Sequence, residues 1–131
     1  MIHIRKVIFK GEGESNFNPH FYVAIAYNSD TSTYLIVNFT TKRGTATYSW
    51  TIEVKNSEFP DILTNPISIV EYKKAEEITK EKFEFWGIKT DSYGNPKLCP
   101  ENLLKRIIGH IYSGSELKDK YVKKYFSKPI I

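Results

Sequence analysis

Between residues 20 and 41 the chain reads HFYVAIAYNSDTSTYLIVNFTT, and this stretch limits the fold more than any other. HFYVAIAY (20–27) is β-branched and aromatic, as a buried strand requires. NSDTST (28–33) is a polar turn. YLIVNFTT (34–41) is a second strand, and its Leu35-Ile36-Val37 run implies burial on both faces. So short a turn joins neighbouring antiparallel strands, because a parallel pair needs a crossover of about a dozen residues or more. The second strand then ends abruptly in Thr40-Thr41-Lys42-Arg43-Gly44. A hairpin needs a polar exit, but hydroxyls followed by cations also suit the floor of a phosphate site.

The rest of the first half also speaks in strands. HIRKVIFKG (3–11) reads as a strand and GEGESNFNP (11–19) as a loop. KRGTATY (42–48) is a loop centred on Gly44. YSWTIEV (48–54) alternates, with Tyr48, Trp50, Ile52 and Val54 on one face, and predicts a half-buried strand with Trp50 in the core. KNSEFPDILTNP (55–66) is kept irregular by Pro60 and Pro66, and ISIVEY (67–72) is a further strand. KKAEEITKEKFEFWG (73–87) predicts a short helix or turn.

The second half speaks in helices. CPENLLKRIIGHIY (99–112) has Pro100 suited to the first helical position and a stripe of Leu103, Leu104, Ile107, Ile108 and Ile111. Gly114 suits a C-terminal cap and Ser115 an N-cap. ELKDKYVKKYF (116–126) resumes with Leu117, Tyr121, Val122 and Tyr125 on one face and Lys118, Lys120, Lys123 and Lys124 mostly on the other. The fold class expected is α+β, mainly β. A small antiparallel β-barrel over residues 1–87 is followed by a helical cap over 98–128, within a single domain spanning 1–131.

The charge is unevenly spread. The net charge is +4, with 12 Lys and Arg against 12 Asp and Glu in residues 1–97 and 7 against 3 in residues 98–131. The basic end invites nucleic acid or an acidic protein partner, and either association weakens with salt. A single cysteine, Cys99, excludes an internal disulfide and suits a reducing compartment. The opening MIHIRKVIFK is too charged for a signal peptide, and no apolar run approaches the roughly 20 residues of a membrane span. A cytoplasmic protein without membrane association is expected. His3, His20, His110 and Cys99 share no metal-ligand spacing, so no metal and no cofactor is expected. His110 and His3 read as structural residues, and Glu76, Glu77, Glu81 and Glu84 with Lys73, Lys74, Lys80 and Lys82 as a mixed solvated face.

The succession HFYVAIA, YLIVNFTT, YSWTIEV and EFPDILTNPISIVEYKKAEEI resembles the PemK/MazF toxin family over about residues 17–85. The resemblance rests most on the strand ending Asn38-Phe39-Thr40-Thr41 and on the last strand running into Tyr72-Lys73-Lys74-Ala75. It implies an SH3-like β-barrel, usually a homodimer, and in many members a ribonuclease encoded beside a small acidic antitoxin. Members cut single-stranded RNA without metal and leave a cyclic phosphate, using an Arg at the start of the second strand and a Thr at the end of the third. Here the Thr position falls on Thr40, with Thr41 adjacent, and the Arg position on His20. The turn that is Arg-Gly-Asp-like in many members is Lys10-Gly11-Glu12, and the helical tail is closer to an extended PemK-like subset.

The resemblance thus implies an endoribonuclease in which the RNA 2′-hydroxyl attacks its own phosphate. His20 would act as acid or base, Thr40 would donate to the phosphate, and Arg43 would offset the developing charge. Thr41, Lys42 and Lys10 would bind substrate nearby, and Lys120 and Lys124 would follow the backbone from the tail. The alternative is a catalytically inactive barrel that binds nucleic acid or protein, because His at the Arg position also fits a fold that has lost the reaction.

Overall fold

The computed structural model describes residues 7–10, 20–60, 62–85 and 98–126. The hairpin is its centre. β2 (His20–Asn28) and β3 (Thr33–Thr41) pair antiparallel, with Tyr22 opposite Asn38 and Val23 opposite Val37. Asn28 closes the turn, its Oδ1 accepting from the Asp30 and Thr31 amides at 2.9 and 3.1 Å. Between Ala24 and Ala26 the register slips by one residue, so Ile25 is a bulge. Ile25 and Ala26 both join the same core, and the bulge adds local twist to the sheet.

β1 (Val7–Lys10) pairs with the start of β2, from Val7 opposite Val23 to Lys10 opposite His20. On its other side β3 takes two partners in succession. Its first half, Thr33–Ile36, pairs with β6 (Glu76–Thr79), and its second half, Phe39–Thr41, pairs with β5 (Ile67–Val70). β4 (Glu53–Lys55) adds to the far edge of β5, giving the order β1-β2-β3-β5-β4 with β6 off the path. A strand shared in this way curls the sheet, and the result is a mixed α+β protein built on a curled antiparallel half-barrel.

Both faces of the hairpin are covered, as the Leu35-Ile36-Val37 run implied; all three side chains are fully buried. One face packs Val23, Leu35 and Val37 against Val54, Val70 and the helix α2 (Glu101–Ser113), through Leu103, Ile107 and Ile111. Tyr72 adds a polar tie, its hydroxyl donating to the Ile107 carbonyl at 2.7 Å. The other face packs Tyr22, Ala24, Tyr34 and Ile36 against Ile78 and Phe83 of α1 (Lys80–Phe85), with Phe83 stacked on Tyr34 at 4.3 Å. The tail forms a last helical turn, α3 (Asp119–Tyr121), continued as a wider π-helical turn over Val122–Phe126. No described helix is long and apolar enough to cross a membrane.

Several expectations are corrected. Only Glu53 and Val54 of YSWTIEV are strand, the start of β4, and Thr51 is buried while Trp50 is half-buried beside Tyr48. The reason is chemical: the Thr51 hydroxyl accepts from the Val70 amide at 3.1 Å and donates to the Val70 carbonyl at 2.7 Å, replacing the backbone ladder there. Residues 76–79 are strand rather than helix, because the open edge of β3 offers four residues of pairing that outweigh the helical preference of Glu76 and Glu77. Thr79 then caps α1, accepting from the Lys82 amide at 3.2 Å. Pro100 is the N-cap of α2 and not its first residue, while Gly114 (φ +126°) closes the helix as expected. Ser115 accepts from Leu117 at 3.3 Å in a local turn, and α3 starts only at Asp119. Residues 3–6, the loop 11–19 and most of the join at 88–98 lie outside the described residues.

Candidate functional site

The end of the hairpin opposite its turn gathers three of the residues singled out above. Lys10 lies across from His20 in the β1–β2 pairing. The β2–β3 pairing at Tyr22–Asn38 and Val23–Val37, continued two residues outward, brings the His20 backbone level with Thr40. Thr40 lies across from Ile69 of β5. Lys10, His20 and Thr40 therefore stand in one cross-strand row, with neighbouring strands about 4.8 Å apart. Thr40 is half-buried, and its hydroxyl has no hydrogen-bond partner among the described residues.

Thr41 points the other way, since side chains alternate along a strand. It pairs with Ser68 of β5, and its Oγ1 accepts from Asn65 Nδ2 at 2.7 Å. Beneath it lies a cleft of about 260 Å³. Phe21, Phe39, Ile62 and Leu63 form the apolar walls, and Thr41, Asn65 and Ser68 supply polar groups. Its floor is anchored, because the Ile62 and Leu63 amides donate to the Phe59 carbonyl at 3.1 and 2.9 Å and the Phe59 ring meets Phe39 edge-on at 6.5 Å.

The two cations at the exit differ. Lys42 folds back: its Nζ lies 2.6 Å from Glu53 Oε2, and its side chain is 8 % exposed. That pair ties the end of β3 to β4 and neutralises the charge the sequence seemed to offer. Arg43 is exposed beside Gly44, whose φ of +77° supplies the turn, and it makes no ion pair with a described residue.

One row further in lies a polar cluster that the sequence reading missed. Asn38 Nδ2 donates to Glu71 Oε1 at 2.5 Å, and the Glu71 amide donates to the Asn38 carbonyl at 3.0 Å. Asn38 is 2 % exposed and its Oδ1 has no partner among the described residues. Opposite it, Tyr22 donates to Glu76 Oε2 at 3.1 Å. Burial, then the Glu76 carboxylate, pushes the Tyr22 phenol well above its usual range. An asparagine inside the apolar run Leu35–Phe39 was the available signal, since a polar residue at a buried strand position needs a partner.

Lys120 and Lys124 stand at the other end of β3. Lys124 Nζ pairs with Glu77 Oε2 at 2.8 Å, and that hydrogen bond raises its pKa. The neighbouring Tyr125 hydroxyl bonds Thr33 Oγ1 at 2.7 Å, and Asn28 Nδ2 donates to the Lys124 carbonyl at 3.1 Å. Lys120 is exposed, with its Nζ 5.1 Å from the Tyr121 ring centre. Thr33 and Thr41 are eight residues apart on β3, which is about 26 Å of extended chain. The lysines of the tail and the threonines of the exit are thus two separate places.

His110 is structural in its contacts. A ring nitrogen, Nε2, is 2.8 Å from the Ser49 carbonyl, so α2 is pinned to the 49–51 turn. Arg106 of the same helix reinforces this, binding the Glu58 carboxylate and donating to the Glu53 carbonyl at 2.6 Å. Cys99 is buried as a free thiol, and the described residues hold no cluster of three metal-ligating side chains. His3 lies outside the described residues. No protein-family model matches this chain, and no curated protein matches it either.

Proposed function

We propose that this chain is a metal-independent endoribonuclease acting on single-stranded RNA, of the PemK/MazF type, and the toxin of a toxin–antitoxin pair. The observation that carries this reading is the row Lys10–His20–Thr40, in which the pairing brings together three residues chosen for one reaction. His20 takes the proton from the 2′-hydroxyl as that oxygen bonds to the adjacent phosphorus. The 5′-oxygen of the next nucleotide leaves with a proton drawn from solvent, to which His20 then returns the one it took, and a 2′,3′-cyclic phosphate remains. Thr40 donates its free hydroxyl to a phosphate oxygen, and exposed Arg43 balances the charge that builds there. Lys42 contributes only when it leaves Glu53.

A second reading is favoured by a different observation. Lys42 is held by a carboxylate, and Glu71 and Glu76 lie next to the row, so the exit is less cationic than its sequence. A non-catalytic binding module would use the exposed lysines of the tail instead. Incubating the purified protein with mixed-sequence single-stranded RNA in EDTA separates the two. The ribonuclease cuts, and His20→Ala and Thr40→Ala each abolish cutting while the fold is kept. Intact RNA held in a salt-sensitive complex would replace this reading with the second.

A further inference from the structure

The segment that crosses the middle of β3 carries an acid at each end. Glu71 follows β5, and its amide donates to the Asn38 carbonyl at 3.0 Å. Glu76 opens β6 and lies across from Ile36, two residues before Asn38 on the same face of β3. A single 3-10 turn, Tyr72–Lys74, separates the two acids and returns the chain to β3. Tyr22 stands across from Asn38 on β2, and its phenol donates to Glu76 Oε2 at 3.1 Å. Burial, then Glu76 through charge and hydrogen bond, then the Glu71 charge raise that phenol, so both carboxylates act on one hydroxyl.

Asn38 supplies an independent observation. It is 2 % exposed, its Nδ2 is spent on Glu71 Oε1, and its Oδ1 has no hydrogen-bond partner among the described residues. A buried carbonyl oxygen left in this way marks a place where a native fold holds an ion or a water. A water would satisfy the oxygen and leave the charge of two half-buried acids as it stands. A cation satisfies the oxygen and offsets the charge together. Lys74 does this poorly for Glu71, because it lies 3.3 Å from Oε2 with its side chain 72 % exposed.

The donors define the ion. An amide oxygen and two carboxylates are hard ligands, which suit magnesium, calcium or manganese rather than zinc or copper. No third histidine, cysteine or acid joins the two carboxylates among the described residues, so the amide oxygen and solvent complete the shell. Glu71 keeps Oε1 on Asn38 and turns Oε2 from Lys74 to the ion. Glu76 uses Oε1, the oxygen that Tyr22 does not occupy. We propose that Asn38 Oδ1, Glu71 and Glu76 bind one hard divalent cation, which clamps the 71–76 segment to the middle of β3. The ion goes beyond the ribonuclease reading and does not rest on it: its role is structural, one row inside Thr40, and the cutting reaction runs without it.

The test is an NMR titration of the whole protein, stripped with EDTA and exchanged into metal-free buffer, with Mn²⁺ as a paramagnetic probe. Mn²⁺ below one equivalent is expected to broaden the amides of Tyr22, Asn38, Glu71 and Glu76 before any others, and excess Mg²⁺ or Ca²⁺ to restore them. Glu71→Gln and Glu76→Gln each keep the shape and remove one charged ligand, and each is expected to weaken Mn²⁺ binding roughly 10-fold or more. Glu81→Gln, at an exposed acid of α1, is expected to leave it unchanged. Broadening spread evenly over exposed acids such as Glu81 and Glu116 overturns the site, as does the absence of any broadening at the four amides. Selective broadening that survives in both Glu71→Gln and Glu76→Gln also overturns it. The wild-type broadening and its reversal by Mg²⁺ or Ca²⁺ decide the matter even where a variant fails to fold.

Discussion

Thr51→Val tests whether one hydroxyl replaces a missing stretch of backbone ladder. Thr51 is 5 % exposed, and its Oγ1 serves both the N–H and the C=O of Val70, a residue with no exposure at all. Valine keeps the shape and removes both bonds, so two buried backbone groups lose their partner. Each such group costs about 1–3 kcal/mol, and taking away a buried hydroxyl returns about 1–2 kcal/mol, so mid-range values leave a net loss of about 2.5 kcal/mol. Against a domain stability of about 5–15 kcal/mol that is a large fraction. Thr51→Ser keeps the hydroxyl and loses one methyl, for about 1 kcal/mol. Urea unfolding of the three proteins gives the comparison by linear extrapolation. A loss below about 0.5 kcal/mol for valine, or equal losses for serine and valine, would refute the reasoning.

Three further outcomes follow from the same contacts. Glu53→Gln is expected to release Lys42 to RNA phosphates, steepening the fall of log affinity with log salt by about 0.7 for a single strand; an unchanged slope in a fluorescence titration counts against phosphate at the β3 exit. Burial raises the Tyr72 phenol above its ordinary value near 10, so its contribution is whole below pH 10 and is lost as pH rises past it, where the unfolded phenol ionises and the folded one does not. Stability above that pH is expected to fall about 1.4 kcal/mol per pH unit less steeply in Tyr72→Phe, as urea midpoints on either side of pH 10 would register. Lys124→Ala, toward the Thr33 end of β3, is expected to leave the turnover of bound RNA unchanged while weakening its capture; a loss of turnover would contradict the separation of the two ends.

The hairpin was legible because its signal is local. Apolar residues fill 20–27 and 34–39, a polar turn divides them, and no partner elsewhere is needed to read the pairing. α2 was legible for the same reason, and Leu103, Ile107 and Ile111 form its buried edge as its stripe implied. β6 was not legible, because Glu76, Glu77 and Thr79 become strand only when the open half of β3 is beside them. YSWTIEV alternates as a strand does, yet a single hydroxyl–backbone contact with Val70 decided which residue went inside.

At the site the same division holds. That His20 and Thr40 share a row follows from strand register, which the hairpin pattern nearly dictates. The fate of Lys42 does not, since its partner Glu53 lies on a strand reached only through β5. Asn38–Glu71 likewise exists only once the 71–75 segment crosses the middle of β3. The tail lysines looked continuous with the site because sequence carries charge but not distance.

The central claim is that the row Lys10–His20–Thr40 cuts RNA through the substrate's own 2′-hydroxyl. Its most direct test is one oligonucleotide in two versions, all-ribose and all-2′-deoxyribose, incubated with the protein in EDTA and analysed for its ends. Cyclic phosphate ends from the ribose version and an intact deoxyribose version are expected. An uncut ribose version, or equal cutting of both, would contradict the account.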